Sequence, residues 1–224
     1  MRALLDEVLG DAQHRGFLGS GDVDAFVRHA LGYLDGLREV VGTADGVDLG
    51  SGGGIPGLVL AVELPGSRWH LVERSRARAD WLTRSVGRLG LRDRVVVRHE
   101  AAEVAGRGPL RGTCAIVVAR CFASPAVAAE CAAPLLRIGG RAVFSDLHDT
   151  SPGPSGPSSG DPGPSGEHGG VAGRWDEESL TTLGLTLVRT WQSDEGTYAL
   201  LEQRTACPER FPRSPGVPAR RPLF

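Results

Sequence analysis

The chain contains no lysine: all 25 of its basic residues are arginine. Biased coding is the simplest source of that imbalance, although arginine also offers planar, bidentate contacts suited to phosphate. No apolar run reaches the roughly 18 residues needed to span a bilayer. The first residues, Met1-Arg2-Ala3-Leu4-Leu5-Asp6-Glu7, lack the apolar core of a secretory signal, so a cytoplasmic location with no membrane partner is expected. The four cysteines, Cys114, Cys121, Cys131 and Cys207, form no CxxC pair and have no histidine at ligand spacing. They are expected to be reduced and structural, with no bound metal, three of them in apolar strand or helix positions. A net charge of -2 does not favour a nucleic-acid partner, but the charge is uneven and the last segment is basic.

What the chain does have is Val47-Asp48-Leu49-Gly50-Ser51-Gly52-Gly53-Gly54-Ile55-Pro56-Gly57 followed by an apolar helical stretch. Strand, glycine turn and helix together aim backbone N–H groups at a ligand. A second strand-like run, Trp69-His70-Leu71-Val72, ends in Glu73, about twenty residues on, where a ribose-binding carboxylate belongs. The loop lacks Gly-Lys-Ser/Thr, which excludes a Walker-type phosphate loop. A nucleoside held by its ribose and amino acid part is the expected ligand, and S-adenosylmethionine fits Asp-x-Gly-x-Gly best. The plain alternative is a tight strand–helix turn that binds nothing.

In chain order, residues 1–43 read as a helical cap, broken near Ser20-Gly21-Asp22, with Arg28-His29 as a solvated surface pair. Residues 44–205 read as the main domain. A helix is expected over 56–64, a strand ending at Glu73, and a basic amphipathic helix over 74–89 with Ala77, Trp81, Leu82, Val86 and Leu89 inward. Further strands are expected over 95–97, 114–119 and 141–145, with a helix over 123–136 and a turn at Gly139-Gly140. After a helix over 175–183, residues 185–191 and 197–203 are expected to pair antiparallel at the edge. The alternation predicts an α/β fold with a mostly parallel, doubly wound sheet. Residues 149–170, nearly all Ser, Pro, Gly and Asp, read as a flexible insertion. The basic, proline-rich segment 206–224 is either a disordered end or a phosphate-contacting arm.

Taken together, the chain resembles the bacterial 16S ribosomal RNA guanine-N7 methyltransferases, also called the glucose-inhibited division protein B family. The resemblance runs from about Arg28 to the end. It rests on the glycine loop, Ala102-Glu103, Val118-Ala119-Arg120-Cys121-Phe122-Ala123, Pro134-Leu135-Leu136 with Gly139-Gly140, and Phe211-Pro212-Arg213-Ser214-Pro215-Gly216-Val217-Pro218 closing on Arg221-Pro222-Leu223. It implies a Rossmann-like class I methyltransferase fold and S-adenosylmethionine as cofactor. Asp48, Gly50, Gly52, Gly54, Ile55, Glu73, Ala102, Glu103 and Arg120 are the implied cofactor residues. The implied partner is 16S rRNA or the 30S particle, met by a monomer. Arg28, Arg210, Arg213, Arg220 and Arg221 are the expected RNA contacts, with Arg204 a further basic residue nearby.

The chain departs from the family pattern where Lys-Gly becomes Asp146-Leu147, Lys-Arg becomes Ala77-Arg78, and an arginine before Ala-Glu becomes Ala101. Guanine N7 already presents a lone pair, so its methylation needs alignment more than a general base. Arg120 and His29 are the candidates for catalytic positioning. Two other readings remain open: a divergent relative that methylates another substrate, and a non-catalytic S-adenosylmethionine-binding protein.

Overall fold

The computed structural model describes residues 1–38, 45–146 and 171–224. The expected insertion over 149–170 and the boundary at 43/44 lie outside the described residues. Helices α1 (Arg2–His14), α2 (Val23–Leu31) and α3 (Leu34–Leu37) precede strand β1 (Asp45–Leu49). Next come α4 (Gly57–Glu63), β2 (Arg68–Val72), α5 (Arg76–Arg88), β3 (Val95–Arg98), α6 (Ala102–Ala105), β4 (Cys114–Arg120), α7 (Pro125–Ala132) and β5 (Leu136–Asp146). A 3-10 turn (Val171–Arg174) leads to α8 (Glu177–Leu183), β6 (Leu185–Ser193), β7 (Gly196–Gln203) and the single turn α9 (Val217–Arg220).

Among the described residues the strands form one sheet in the order β3-β2-β1-β4-β5-β7-β6. The pairs from β3 through β5 are parallel, and β7 runs antiparallel to both β5 and β6. The chain steps outward from β1 to β2 and β3, then returns to β4 on the other side. That reversal opens a crevice at the carboxyl ends of β1 and β4.

Alternation along the strands divides the core in two, because successive side chains face opposite ways. Trp69, Leu71, Ile116 and Val118 join Leu5, Leu9, Val27, Leu58, Leu60 and Trp81 on one face. Val47, Leu49, Val72 and Val117 join Val127, Ala129, Leu180 and Leu183 on the other. Parallel strands covered on both faces read as continuous apolar runs, as Cys114 to Ala119 does.

Several expectations change. The break at Ser20-Gly21-Asp22 holds, with the Asp22 carboxylate accepting from Asp24 N–H at 3.1 Å. In α5 Ala77 is exposed and Ala79 takes the inward position, since Ala79, Leu82 and Val86 share one stripe at three- and four-residue spacing. The helix expected over 123–136 stops at Ala132, and Leu136 already starts β5. Gly139-Gly140 therefore lies inside that strand, where the register with β4 shifts, rather than in a turn before it. Cys114 and Cys131 are buried as expected, but Cys121 is exposed.

The end of the chain is ordered. Phe211 is buried in the second core, and the Arg111 guanidinium donates to the carbonyls of Cys207 (3.0 Å), Pro208 (3.0 Å), Phe211 (2.7 Å) and Gly106 (3.1 Å). One planar cation thus bonds three tail carbonyls, of which the Pro208 carbonyl also accepts Phe211 N–H at 3.0 Å. Arg111→Ala is expected to cost about 2–4 kcal/mol, the loss of several charge-assisted bonds, and to make residues 207–224 susceptible to protease below the global melting temperature. Unchanged melting and proteolysis would show that the tail is held by other contacts.

Candidate functional site

The crevice is a cleft of roughly 390 Å³ at the carboxyl edge of the sheet, within the size range of small-molecule sites. Its floor is Gly50 after β1 together with Val72 and Glu73 after β2. One bank is Arg74 and Arg78; Glu100 to Glu103 follow β3. Cys121, Phe122 and Ala123 extend from β4, and Val127 and Cys131 face in from α7. Pro215, Gly216 and Ala219 of the tail complete the wall.

The glycine loop is held from both sides. Gly50 and Ser51 N–H groups donate to the Val72 carbonyl at 2.9 and 3.1 Å. Gly52 N–H donates to Glu73 Oε2 at 2.9 Å, and Ser75 N–H donates to Oε1 at 2.7 Å. A carboxylate offers about four acceptor positions, so Glu73 keeps capacity for hydroxyl donors while its orientation is fixed. Gly50 has φ +69, and a Cβ there would lie 2.6 Å from Phe122. Gly53 is needed for close approach, since a Cβ would meet the Phe17 carbonyl at 2.7 Å. The α1–α2 connection thus packs over the loop from outside the cleft.

Asp48 is fully buried, and its Oδ2 accepts Gly57 N–H at 3.0 Å, tying the end of β1 to the first turn of α4. Its other oxygen has no hydrogen-bond partner. Burial pushes its pKa up to about 7, against the pull of the nearby Ser51 hydroxyl, the Gly57 N–H and the Arg120 charge. Arg120 caps β4; its Nε is buried without a partner and its guanidinium lies 5.2 Å from the Phe26 ring centre.

Of the expected cofactor residues, Gly50, Glu73, Ala102 and Glu103 are brought together in the cleft wall. Asp48, Gly52, Gly54, Ile55 and Arg120 are not part of that lining among the described residues. Asp48 and Gly52 instead brace it through the bonds above. Glu103, besides lining the cleft, accepts Gly216 N–H at 2.8 Å.

Arg28 and His29 do not form a solvated pair. His29 is 1% exposed, with Nδ1 at 2.8 Å from the Glu195 carbonyl and Nε2 at 2.7 Å from Ser145 Oγ. Tyr33 and Tyr198 flank it, and Tyr198 donates to its carbonyl at 2.7 Å. Helical spacing carried no sign of this burial, because the partners come from β5, the β6–β7 turn and β7. Arg28 is exposed and pairs with Glu195 at 2.5 Å, which raises the Arg28 pKa.

Of the expected RNA contacts in the tail, Arg210, Arg220 and Arg221 are exposed. Arg213 is turned inward onto Glu130. Arg74, Arg78, Phe122 and Ala219 are lining residues that sequence reading missed. Arg74 and Phe122 follow the carboxyl ends of β2 and β4, so the rule that located Glu73 also applied to them; Arg78 lies in the first turn of α5 and Ala219 in the tail.

The family model described as rRNA small subunit methyltransferase G matches residues 1–145. The chain belongs to this family. The match begins at residue 1, so the likeness extends further toward the N-terminus than Arg28. A ribosomal RNA small subunit methyltransferase G from Prochlorococcus marinus is 34% identical over 192 residues, covering 79% of this chain and 67% of that one. One from Deinococcus radiodurans is 34% identical over 205 residues, 90% of this chain and 72% of that one. A geranyl diphosphate methyltransferase solved with SAM shares the fold, with TM-score 0.56, 16% identity and coverage of 79% and 85%. The α/β fold is that of class I methyltransferases, with a mostly parallel sheet and an antiparallel edge.

The buried Asp48 has a measurable consequence. A carboxyl whose pKa rises from 3.8 to about 7 on folding favours the folded state fully only below its unfolded value. That contribution is lost as pH rises through about 7. Asp48→Asn retains an acceptor for Gly57 and should become more stable than the unmodified chain by an amount growing between pH 4 and 8, on the order of a few kcal/mol. Urea titrations at several pH values test this; a pH-independent difference would place the charge of Asp48 in a solvated setting.

Proposed function

We infer that this chain transfers a methyl group from S-adenosylmethionine to guanine N7 of small-subunit 16S ribosomal RNA. The observation that carries the reading is the cleft at the β1/β4 switch point, where Gly50, Glu73 and Glu103 meet in a chain of the methyltransferase G family. The residues fit the cofactor. Glu73 is oriented by two backbone donors with acceptor capacity left for a ribose, and Gly50 leaves the loop without a side chain at the floor. Ala102 and Glu103 border the same space, where an adenine would lie.

When bound, S-adenosylmethionine supplies the electrophilic methyl. The chain's residues then have to orient a nucleophile that needs no deprotonation, which is work of positioning and exclusion of water. Phe122 lies against Gly50 and partly closes the cleft. Arg74 and Arg78 put positive charge at the rim, suited to RNA phosphates. Arg210, Arg220 and Arg221 supply a second basic group on the tail. Arg120 lies outside the cleft lining but directly precedes Cys121 of its wall. Its buried, unpartnered Nε supports a positioning role for it, whereas His29 is engaged inside the fold. We propose that the site acts in the cytoplasm. No helix among the described residues is long and apolar enough to cross a membrane.

The direct test is transfer of labelled methyl to 30S particles from a strain lacking its own guanine-N7 enzyme, with calorimetric titration of the cofactor. Incorporation at one guanine N7 is expected. Glu73→Ala or Gly50→Leu should weaken cofactor binding at least tenfold, a loss of more than about 1.4 kcal/mol. Binding without incorporation would favour another substrate, and binding undisturbed in both variants would move the cofactor elsewhere. RNA binding should weaken steeply with salt. Arg220→Ala with Arg221→Ala should reduce the slope of log affinity against log salt by roughly 1.4, at about 0.7 for each phosphate of single-stranded RNA that is no longer neutralised.

A further inference from the structure

The tail wall is held by two carboxylates that belong to elements already in the cleft. The Glu130 side chain is fully buried on α7, the helix that also turns Val127 and Cys131 toward the cleft. Arg213 binds it with Nε at 2.9 and 3.1 Å from the two oxygens, Nη2 at 2.5 Å, and the Arg213 backbone N–H at 2.8 Å. A buried carboxylate is tolerated when it is this fully paired, and the bidentate fork fixes direction as well as distance. Three residues later Gly216 N–H donates to Glu103, itself a lining residue. Between and beyond these two anchors, Pro215, Gly216 and Ala219 face the cleft, and the next residues, Arg220 and Arg221, are exposed.

We propose that Glu130 and Arg213 are positioning residues for methyl transfer: they hold the tail so that one turn of chain presents Ala219 to the cofactor and Arg220-Arg221 to RNA. This rests on the cofactor and substrate reading above. Two consequences follow from the geometry. Loss of the pair loosens both the cofactor wall and the basic arm, so cofactor affinity and RNA affinity fall together. Removing the arm's charges alone affects RNA but leaves the cofactor wall in place. Arg213 therefore contributes to RNA binding through the tail's position, not by a phosphate contact of its own.

The test uses the full chain. Glu130→Gln combined with Arg213→Gln avoids leaving an unpaired buried charge, a hazard of either truncation alone. Calorimetry of S-adenosylmethionine and steady-state methyl transfer to 30S particles are measured beside thermal unfolding. The double variant is expected to raise both the cofactor Kd and the KM for particles roughly tenfold, the scale of a typical coupling between sites. Arg213→Lys should recover part of both, and Arg220→Ala with Arg221→Ala should raise only the KM for particles. A folded double variant with unchanged cofactor Kd overturns the proposal. If the double variant does not fold, Ala219→Leu decides: this exposed position should accept the larger side chain without loss of melting temperature. A raised cofactor Kd supports the tail wall, and an unchanged one overturns it. Absence of cofactor binding in the unmodified chain would instead overturn the reading of the cleft, and the proposal with it.

Discussion

The site depends on a buried hydrogen bond at the centre of the sheet. Asp48 Oδ2 accepts the Gly57 N–H, joining the last residues of β1 to the start of α4 across the whole glycine loop. With both ends fixed, the loop has little freedom, and Glu73 completes its restraint by taking Gly52 N–H from the neighbouring strand. The carboxyl that performs the first task is denied water, and its second oxygen finds no partner. An unsatisfied buried polar atom costs stability. The fold retains one at the point where strand, loop and helix must keep a fixed relation.

Around this centre the molecule assembles its cleft from distant parts of the chain. The floor comes from β1 and β2, one side from α5 and the β3–α6 connection, another from β4 and α7, and the last from the tail. The tail is anchored by three polar groups: Arg111 on its carbonyls and Glu130 on Arg213 from outside the lining, and Glu103 on Gly216 from within it. Charged residues that look like surface features in sequence therefore divide into two kinds. Arg111 and Arg213 are internal struts, and Arg74, Arg78, Arg220 and Arg221 remain at the rim or on the exposed tail. Only the second kind is available to a phosphate backbone.

A similar division separates the aromatic network under β5 from the site. His29, Ser145, Tyr33 and Tyr198 form a buried polar cluster linking α2 to the antiparallel edge. Its members satisfy one another, which is the condition under which buried polar groups are tolerated. The cap helices are thereby tied to the sheet, and the α1–α2 connection is kept against Gly53. His29 thus supports the glycine loop at a distance, through packing, and is not among the residues that line the cleft.

Local pattern was sufficient for much of this protein. Apolar runs bounded by glycine located β1, β2 and β4, and alternation of strands with helices implied a doubly wound sheet. The spacing of Gly50 and Glu73 placed two cleft residues, because strand ends in such a sheet converge by topology alone. Other features required the tertiary structure. Ala77 and Ala79 are chemically identical, and only packing against the sheet decides which is inward. His29 is buried because β5, the β6–β7 turn and β7, more than a hundred residues away, supply its partners. The tail's composition suited disorder equally well. Its order comes from Arg111 and Glu130, whose charges are compensated only when the chain end folds back, so no window of sequence contained that information.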